Sequence, residues 1–145
     1  MKTATKLTGS VRTSDVWAAG LKVGRDIVKL DANRDGVITK TEKTTGEKRL
    51  GLDAAERKVI SKVLATSIPE RGGVSTWSAS IVPPYAAEHL ANLDTKGTGK
   101  VKAKNLSKLT FPKSEGPHGI DRVASKLAPD FFEYVQAEEK AGKKI

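Results

Sequence analysis

Apolar residues recur at helical spacing in three segments of the first two-thirds of the chain. The first segment follows Ser14, a candidate N-cap, and the apolar residues that fall roughly on one face are Val16, Trp17, Val23, Ile27 and Leu30. The second runs from Asp53 to Thr66, and its apolar side consists of Val59, Ile60, Val63 and Leu64. The third begins at Pro83-Pro84, and its face consists of Tyr85, Ala86, Leu90 and Leu93. The pattern predicts a mostly α-helical protein.

The C-terminal part of the chain, at about 117–140, predicts two further helices. A connector after Phe111-Pro112 leads to a helix from about Gly119 to Leu127. A second helix is expected to start at Pro129, because proline is favoured in a first turn and disfavoured inside a helix. The large side chains that follow are more typical of a core than of a cofactor site; they are Phe131, Phe132, Tyr134 and Val135.

The segment between the first two predicted helices has the spacing of a cation-binding loop. Residues 31–42 read DANRDGVITKTE and match D-x-[DN]-x-[DN]-G-x₅-E at every specified position. A hard divalent cation needs several oxygen ligands from one tight loop, and each residue type fills a coordination role. The predicted ligands are the side chains of Asp31, Asn33, Asp35 and Glu42, the carbonyl of Val37, and Thr39 directly or through a water. Gly36 permits the sharp turn.

This first loop resembles the calcium loop of the EF-hand family. The resemblance implies a helix-loop-helix that binds Ca²⁺, with Mg²⁺ as an alternative ion, and an apolar residue, Ile38, that pairs with the backbone of a second loop. This helix-loop-helix, called hand 1, would span about 14–50. Residues 43–52 show no clear apolar stripe, so the helix that follows the loop is expected to be short. The alternative is a turn rich in Asp, Asn and Gly that binds no metal.

Two further segments resemble degenerate loops of the same family. The second loop, residues 67–78, keeps Gly72 and Val74 but has Pro69, Arg71 and Ser78 at ligand positions, and hand 2 would span about 53–80. The alternative there is an ordinary Gly-Gly turn before a short strand.

The third loop, residues 94–105, begins with Asp94 and keeps Thr98, Gly99 and Val101. Lys96, Lys102 and Asn105 occupy ligand positions, so hand 3, at about 84–109, is expected to be free of metal because ammonium groups repel a cation. A plain helix-turn-helix without EF-hand ancestry is the alternative. The predicted fold class is therefore mostly α, a single EF-hand-like domain over 1–145 with short β pairing between loops and additional C-terminal helices.

The chain carries a net charge of +9, whereas calcium sensors of this family are usually acidic. Between Lys96 and Lys113 there are six lysines and no acid: Lys96, Lys100, Lys102, Lys104, Lys108 and Lys113. More lysines lie near the C-terminus, at Lys140, Lys143 and Lys144. Such a surface can attract nucleic acid, anionic lipid or an acidic protein, although a solvated basic face is the commoner meaning of a charge run.

Composition excludes several classes of protein. The chain has 145 residues, no cysteine, and no stretch of about 18 apolar residues that would span a membrane. The N-terminus lacks the apolar core of a secretory signal, so a cytoplasmic location is the default, and a secreted form with its signal removed would look the same. Neither histidine, His89 or His118, lies in a catalytic motif, and phosphate-loop and dinucleotide patterns are absent, so no enzyme is predicted.

The sequence favours a calcium-binding protein with one functional site and an unidentified protein partner. Calcium would either reorient the helices that flank the loop or hold a fold that is loose without it. In the first case the aromatic C-terminal helix could mask a groove in one calcium state. A basic binding module for nucleic acid or for an acidic protein or lipid surface, with calcium incidental, is the alternative function.

Overall fold

The computed structural model describes residues 8–70, 72–111 and 119–142. Within these ranges the protein is mostly helical, as predicted. The helices are α1 (Thr13–Leu30), α2 (Lys40–Leu50), α3 (Ala54–Thr66), α4 (Thr76–Ser80), α5 (Val82–Ala91) and α6 (Ile120–Lys140), and a 3₁₀ helix covers Ala103–Lys108. The strands are β1 (Ser10–Arg12), β2 (Val37–Thr39), β3 (Pro69–Glu70), β4 (Gly73–Ser75) and β5 (Lys100–Lys102).

The strands form two small antiparallel sheets that join loops distant in sequence. In one sheet β4 lies between β2 and β3, and Ile38 pairs with Val74. This is the backbone pairing that the sequence predicts between the first and second loops. In the other sheet β1 pairs with β5, and Val11 faces Val101. Each sheet therefore places a buried or half-buried aliphatic pair between two loops.

Strand β4 approaches β2 closely because residue 73 is a glycine. A Cβ at Gly73 would lie 2.3 Å from the carbonyl oxygen of Ile38, so any side chain there would force the two strands apart. The close approach brings the start of α4, which follows β4 directly, to the edge of the first loop.

Helix α1 packs against α4 and α5, and α6 packs against α3 and α5. The predicted apolar faces of α1 and α3 are buried, except that Trp17 is 42% exposed. The helix begins at Thr13 rather than at a Ser14 cap, because β1 leads straight into it and the Thr13 amide donates to the Gly99 carbonyl at 2.9 Å. Prediction failed at Ser14 and Trp17 because distant contacts decide both features. The pairing of β1 with β5 sets where α1 starts, and packing against α5 sets which face of α1 is buried.

Helix α2 has 11 residues and ends at Leu50, and it has no apolar stripe, as the sequence indicates. Its only buried residue is Gly46, which lies close against Leu30, and both of its ends are capped. Thr39 and Glu42 form a capping box at the N-terminus, and Gly51 adopts the left-handed conformation at the C-terminus.

The C-terminal region forms one helix, α6, rather than the two predicted. Pro129 lies inside it and is exposed, so the carbonyl that loses its helical hydrogen bond can reach water. The buried face continues across the proline through Leu127, Phe131 and Phe132. Burying each large side chain contributes about 1.5–3 kcal/mol, which together exceeds the roughly 3 kcal/mol cost of an interior proline.

The aromatic residues of α6 close the core, as predicted; Phe131, Phe132, Tyr134 and Val135 are each at most 3% exposed. The predicted connector, with Lys113 and His118, falls in residues 112–118, which lie outside the described residues. Lys143 and Lys144 also lie outside them. None of the described helices combines the length and the apolar character that crossing a membrane requires.

Candidate metal centre

The first loop is a tight turn closed by its own side chains. It follows the last residue of α1 directly, and Gly36 has a φ of +86°, a conformation that favours glycine. The Gly36 amide donates to Asp31 Oδ2 at 2.9 Å, and the Val37 amide donates to Asp35 Oδ1 at 3.0 Å. The Asp35 amide donates to Asn33 Oδ1 at 3.3 Å. The side chains at loop positions 1, 3 and 5 therefore fold over the loop's own backbone.

Glu42 brings the start of α2 back to the start of the loop. Its Oε2 accepts from the Ala32 amide and its Oε1 from the Thr39 amide, both at 3.0 Å. The Thr39 hydroxyl accepts from the Glu42 amide at 3.1 Å, so Thr39 caps α2, and its predicted role as a ligand stays a prediction. Val37 begins β2, and the ligand role of its carbonyl likewise stays a prediction.

Three of the predicted ligands meet at one point. Carboxylate oxygens of Asp31, Asp35 and Glu42 all lie within 4.8 Å of one another. Two oxygens bound to the same Ca²⁺ at about 2.3–2.6 Å can be no more than roughly 5 Å apart, so the three oxygens can share one ion. Without a cation, three carboxylates at this separation repel one another.

Asp31 is the most buried of the three carboxylates. The residue is 6% exposed, and its Oδ2 accepts from the Gly36 amide and, at 3.0 Å, from the Thr76 hydroxyl. Its Oδ1 is buried and has no hydrogen-bond partner among the described residues. A buried carboxylate oxygen without a partner is costly, and a cation placed between Asp31, Asp35 and Glu42 would remove that cost. The donor set consists of oxygens alone, which suits Ca²⁺ or Mg²⁺.

Comparisons of the chain with protein-family models, with curated proteins and with solved structures gave no match. The assignment of the first loop therefore depends on its own residues and geometry.

The second loop contacts the first loop directly, and its predicted freedom from metal stays a prediction. It has no group of three acidic or histidine ligands among its described residues. Its contribution is Thr76, the first residue of α4, whose amide donates to the Gly36 carbonyl at 2.9 Å and whose hydroxyl donates to Asp31. The sequence pattern did not identify Thr76, because its role arises from the pairing of β2 with β4.

Trp77 lies beside this contact and is 72% exposed. It lines an open cavity of about 640 Å³ next to the first loop, together with Val28, Ala32, Arg34 and Arg49. The proximity makes Trp77 a natural optical reporter of the loop.

The third loop has the same turn, but no group of three acidic or histidine ligands is found there among the described residues. The Gly99 amide donates to Asp94 Oδ2 at 2.8 Å, and Asp94 Oδ2 also accepts from the Thr13 hydroxyl at 3.0 Å. Asp94 Oδ1 accepts from the amide and the hydroxyl of Thr98. Desolvation opposes ionisation, but the hydrogen bonds from Thr98, Gly99 and Thr13 outweigh it and hold the pKa of Asp94 below its usual value.

Sequence reasoning missed the partner of the third loop, which is β1. A signal was present, since Thr8-Gly9-Ser10-Val11-Arg12 repeats the pattern of Thr98-Gly99-Lys100-Val101-Lys102 at the paired strand. Both segments place a glycine with positive φ two residues before the paired valine.

A separate cluster of charges lies between α1 and α3, away from the loops. Lys22 Nζ donates to Asp26 Oδ2 at 3.0 Å and to Glu56 Oε1 at 2.5 Å, and Glu56 is 2% exposed. Burial, followed by the neighbouring Asp26 carboxyl, raises the pKa of Glu56 to about 8. The ionisation of Glu56 is therefore expected to change the stability of the protein near neutral pH.

Proposed function

We propose that the protein binds one calcium ion in the first loop, as an EF-hand-like site supported by two degenerate hands. The proposed ligands are Asp31, Asn33, Asp35 and Glu42 through their side chains, Val37 through its carbonyl, and Thr39 directly or through a water. The observation that carries the proposal is the buried Asp31 Oδ1, which has no hydrogen-bond partner in the part of the chain that the structure describes and belongs to a set of three converging carboxylates.

The site lies where α1, α2 and α4 come together. Asp31 follows α1, Glu42 lies in the first turn of α2, and Thr76 of α4 bonds to Asp31. An ion held by Asp31 and Glu42 would fix the relative positions of α1 and α2, and through Thr76 that of α4. This supports either a calcium-stabilised or a calcium-responsive module. Val28 and Trp77, both exposed beside the loop, are suitable contacts for a protein partner.

The test is calorimetric titration of chelator-treated protein with Ca²⁺ and, separately, with Mg²⁺. We expect one calcium site, and a Glu42→Gln variant that binds calcium about 10- to 100-fold more weakly because one charged ligand is lost. Glu133→Gln is the matched control, since it removes one carboxylate from the exposed side of α6 and should bind as the wild type does.

Normal calcium affinity in Glu42→Gln would contradict the site assignment. Absence of binding up to about 1 mM, the weak end of the range for such loops, would contradict the proposed function itself.

A further inference from the structure

The third loop borders a concave surface lined by lysines. This basic cleft has a volume of about 600 Å³ and lies between the end of α5, the third loop, β5 and the 3₁₀ helix. Its lysines are Lys96, Lys100, Lys102, Lys104 and Lys108. Neutral side chains form the rest of its wall, among them Asn92, Leu93, Asn105 and Leu109.

Local structure directs the charges to one side. Val101 is buried, so the side chains before and after it, Lys100 and Lys102, share the outer face of β5. Lys104 and Lys108 follow on the 3₁₀ helix. All five lysines of the cleft are exposed, and none of them forms a salt bridge with a described residue. Within the described part of the chain, therefore, no ion pair neutralises their charges.

The one acidic residue in the lining, Asp94, does not compensate for the lysines. Both of its carboxylate oxygens already accept hydrogen bonds, from Thr98, Gly99 and Thr13, so it serves the turn. Five ammonium groups around this turn exclude a cation and favour an anion with several charges.

We propose that the basic cleft binds a compact, multiply phosphorylated small molecule, such as an inositol polyphosphate, either free or as a lipid headgroup. Its volume lies within the range of about 300–1,000 Å³ that is usual for small-molecule sites, and lysine ammonium groups bind phosphate as point charges. A single phosphate would engage only part of a surface that spreads over a loop, a strand and a helix.

The cleft is poorly suited to single-stranded nucleic acid, which usually stacks its bases on exposed aromatic rings. The aromatic residue in the lining is His89, and its ring is stacked on Phe111 at 4.4 Å between centroids and contacts Tyr85 at 4.5 Å. These neighbours occupy the ring and leave little of it for a base.

The cleft can be tested independently of the candidate calcium site. Helix α1 separates them, beginning beside Asp94 at Thr13 and ending beside Asp31. Its 18 residues correspond to about 27 Å, more than three Debye lengths at physiological salt. Failure of the calcium proposal would show in calcium titrations, and failure of this one in anion titrations.

The experiment is calorimetric titration of the full chain with inositol hexakisphosphate, at low and at physiological salt. A triple variant Lys100→Gln, Lys102→Gln, Lys104→Gln should bind at least about tenfold more weakly. The matched control removes three exposed positive charges elsewhere, by Lys48→Gln, Arg57→Gln and Lys58→Gln, and should bind nearly as the wild type does. Replacing the same three cleft lysines with arginine should preserve binding, which separates loss of charge from loss of fold.

Vesicles with and without phosphatidylinositol bisphosphate then identify the source of the phosphates. Cleft-dependent binding to the phosphoinositide vesicles would support a lipid headgroup, and cleft-dependent binding to the free hexakisphosphate alone would support a soluble ligand. Three outcomes overturn the proposal: no binding to either probe, equal weakening in the control triple, or tighter cleft-dependent binding to an oligouridine RNA than to the hexakisphosphate.

Discussion

The first and third loops contain the same turn, but it belongs to a candidate cation site in the first and borders a basic cleft in the third. In each, an aspartate at position 1 accepts from a glycine amide at position 6, at 2.9 Å for Asp31 and 2.8 Å for Asp94. The two glycines, Gly36 and Gly99, have φ values of +86° and +82°. Each loop then enters a short strand whose apolar residue pairs across an antiparallel sheet.

The difference lies in the oxygens left over. Both carboxylate oxygens of Asp94 accept hydrogen bonds, from its own loop and from Thr13. Asp31 differs, because its Oδ1 is buried and has no partner among the described residues. Asp35 and Glu42 join Asp31, whereas lysines surround Asp94. The comparison teaches that an Asp-Gly turn supplies geometry. What favours a cation in the first loop is the convergence of three carboxylates, one of which, Asp31, has a buried oxygen with no partner among the described residues.

The largest expected effect comes from giving the third loop the ligands of the first. The variant Lys96→Asn, Thr98→Asp, Lys102→Thr, Asn105→Glu reproduces the ligand set, and calorimetry should show a second calcium site, because the turn is already in place. Lys100→Glu with Lys104→Glu is the control, since it changes charge at positions 7 and 11, whose side chains are not ligands, and should leave one site. If the converted loop still ignored calcium, the shared turn would not be a sufficient scaffold.

Removing the first aspartate should have a calcium-dependent effect on stability in the first loop and a calcium-independent effect in the third. Calcium at about 100 times its dissociation constant stabilises the wild type by about 2.7 kcal/mol, and Asp31→Ala should abolish that increment. Asp94→Ala should instead lower the free energy of unfolding equally with and without calcium, because it removes hydrogen bonds that hold the turn. Chemical denaturation in calcium and in chelator measures both. A calcium-dependent effect of Asp94→Ala would break the distinction between the loops.

Glu56, which lies outside the loops, is expected to make the stability of the protein depend on pH without affecting calcium binding. Because its pKa is raised to about 8 in the fold, its favourable contribution is complete below about pH 4.5 and is lost as the pH rises through 8. Glu56→Gln should therefore gain stability relative to the wild type between pH 5 and 8, by about 1–3 kcal/mol, while its calcium affinity stays unchanged. Denaturation series at several pH values test this, and parallel curves for both proteins would refute it.

The smallest effect expected is optical. Trp77 adjoins Thr76, which bonds to Asp31, whereas Trp17 lies in the first turns of α1 at the end nearer the third loop. Calcium should change the fluorescence of Trp17→Phe, which keeps Trp77, and barely that of Trp77→Phe. The reverse result would mean that calcium acts near the third loop.

The sequence predicted much of this local structure because the relevant interactions are short in range. Spacing located the apolar faces of α1, α3 and α5, and Asp53 caps α3 through the Glu56 amide as a helix start requires. The first loop was recognisable because Asp31, Gly36 and Glu42 act within twelve residues of chain. Prediction failed where distant contacts outweighed local signals, as at Pro129, which the buried face of α6 tolerates, and at Trp17, which the packing of α1 leaves outside.

By itself, the sequence determined which residues can fold into an Asp-Gly turn and which of those turns carry acids or lysines. Only the tertiary structure decided that β4 pairs with β2 and β1 with β5, that Thr76 bonds to Asp31, and that the lysines after Asp94 line one cleft. The physical reason is that hydrogen bonding in a turn depends on neighbours a few residues away. Burial and charge density depend on segments that meet only when the whole chain packs.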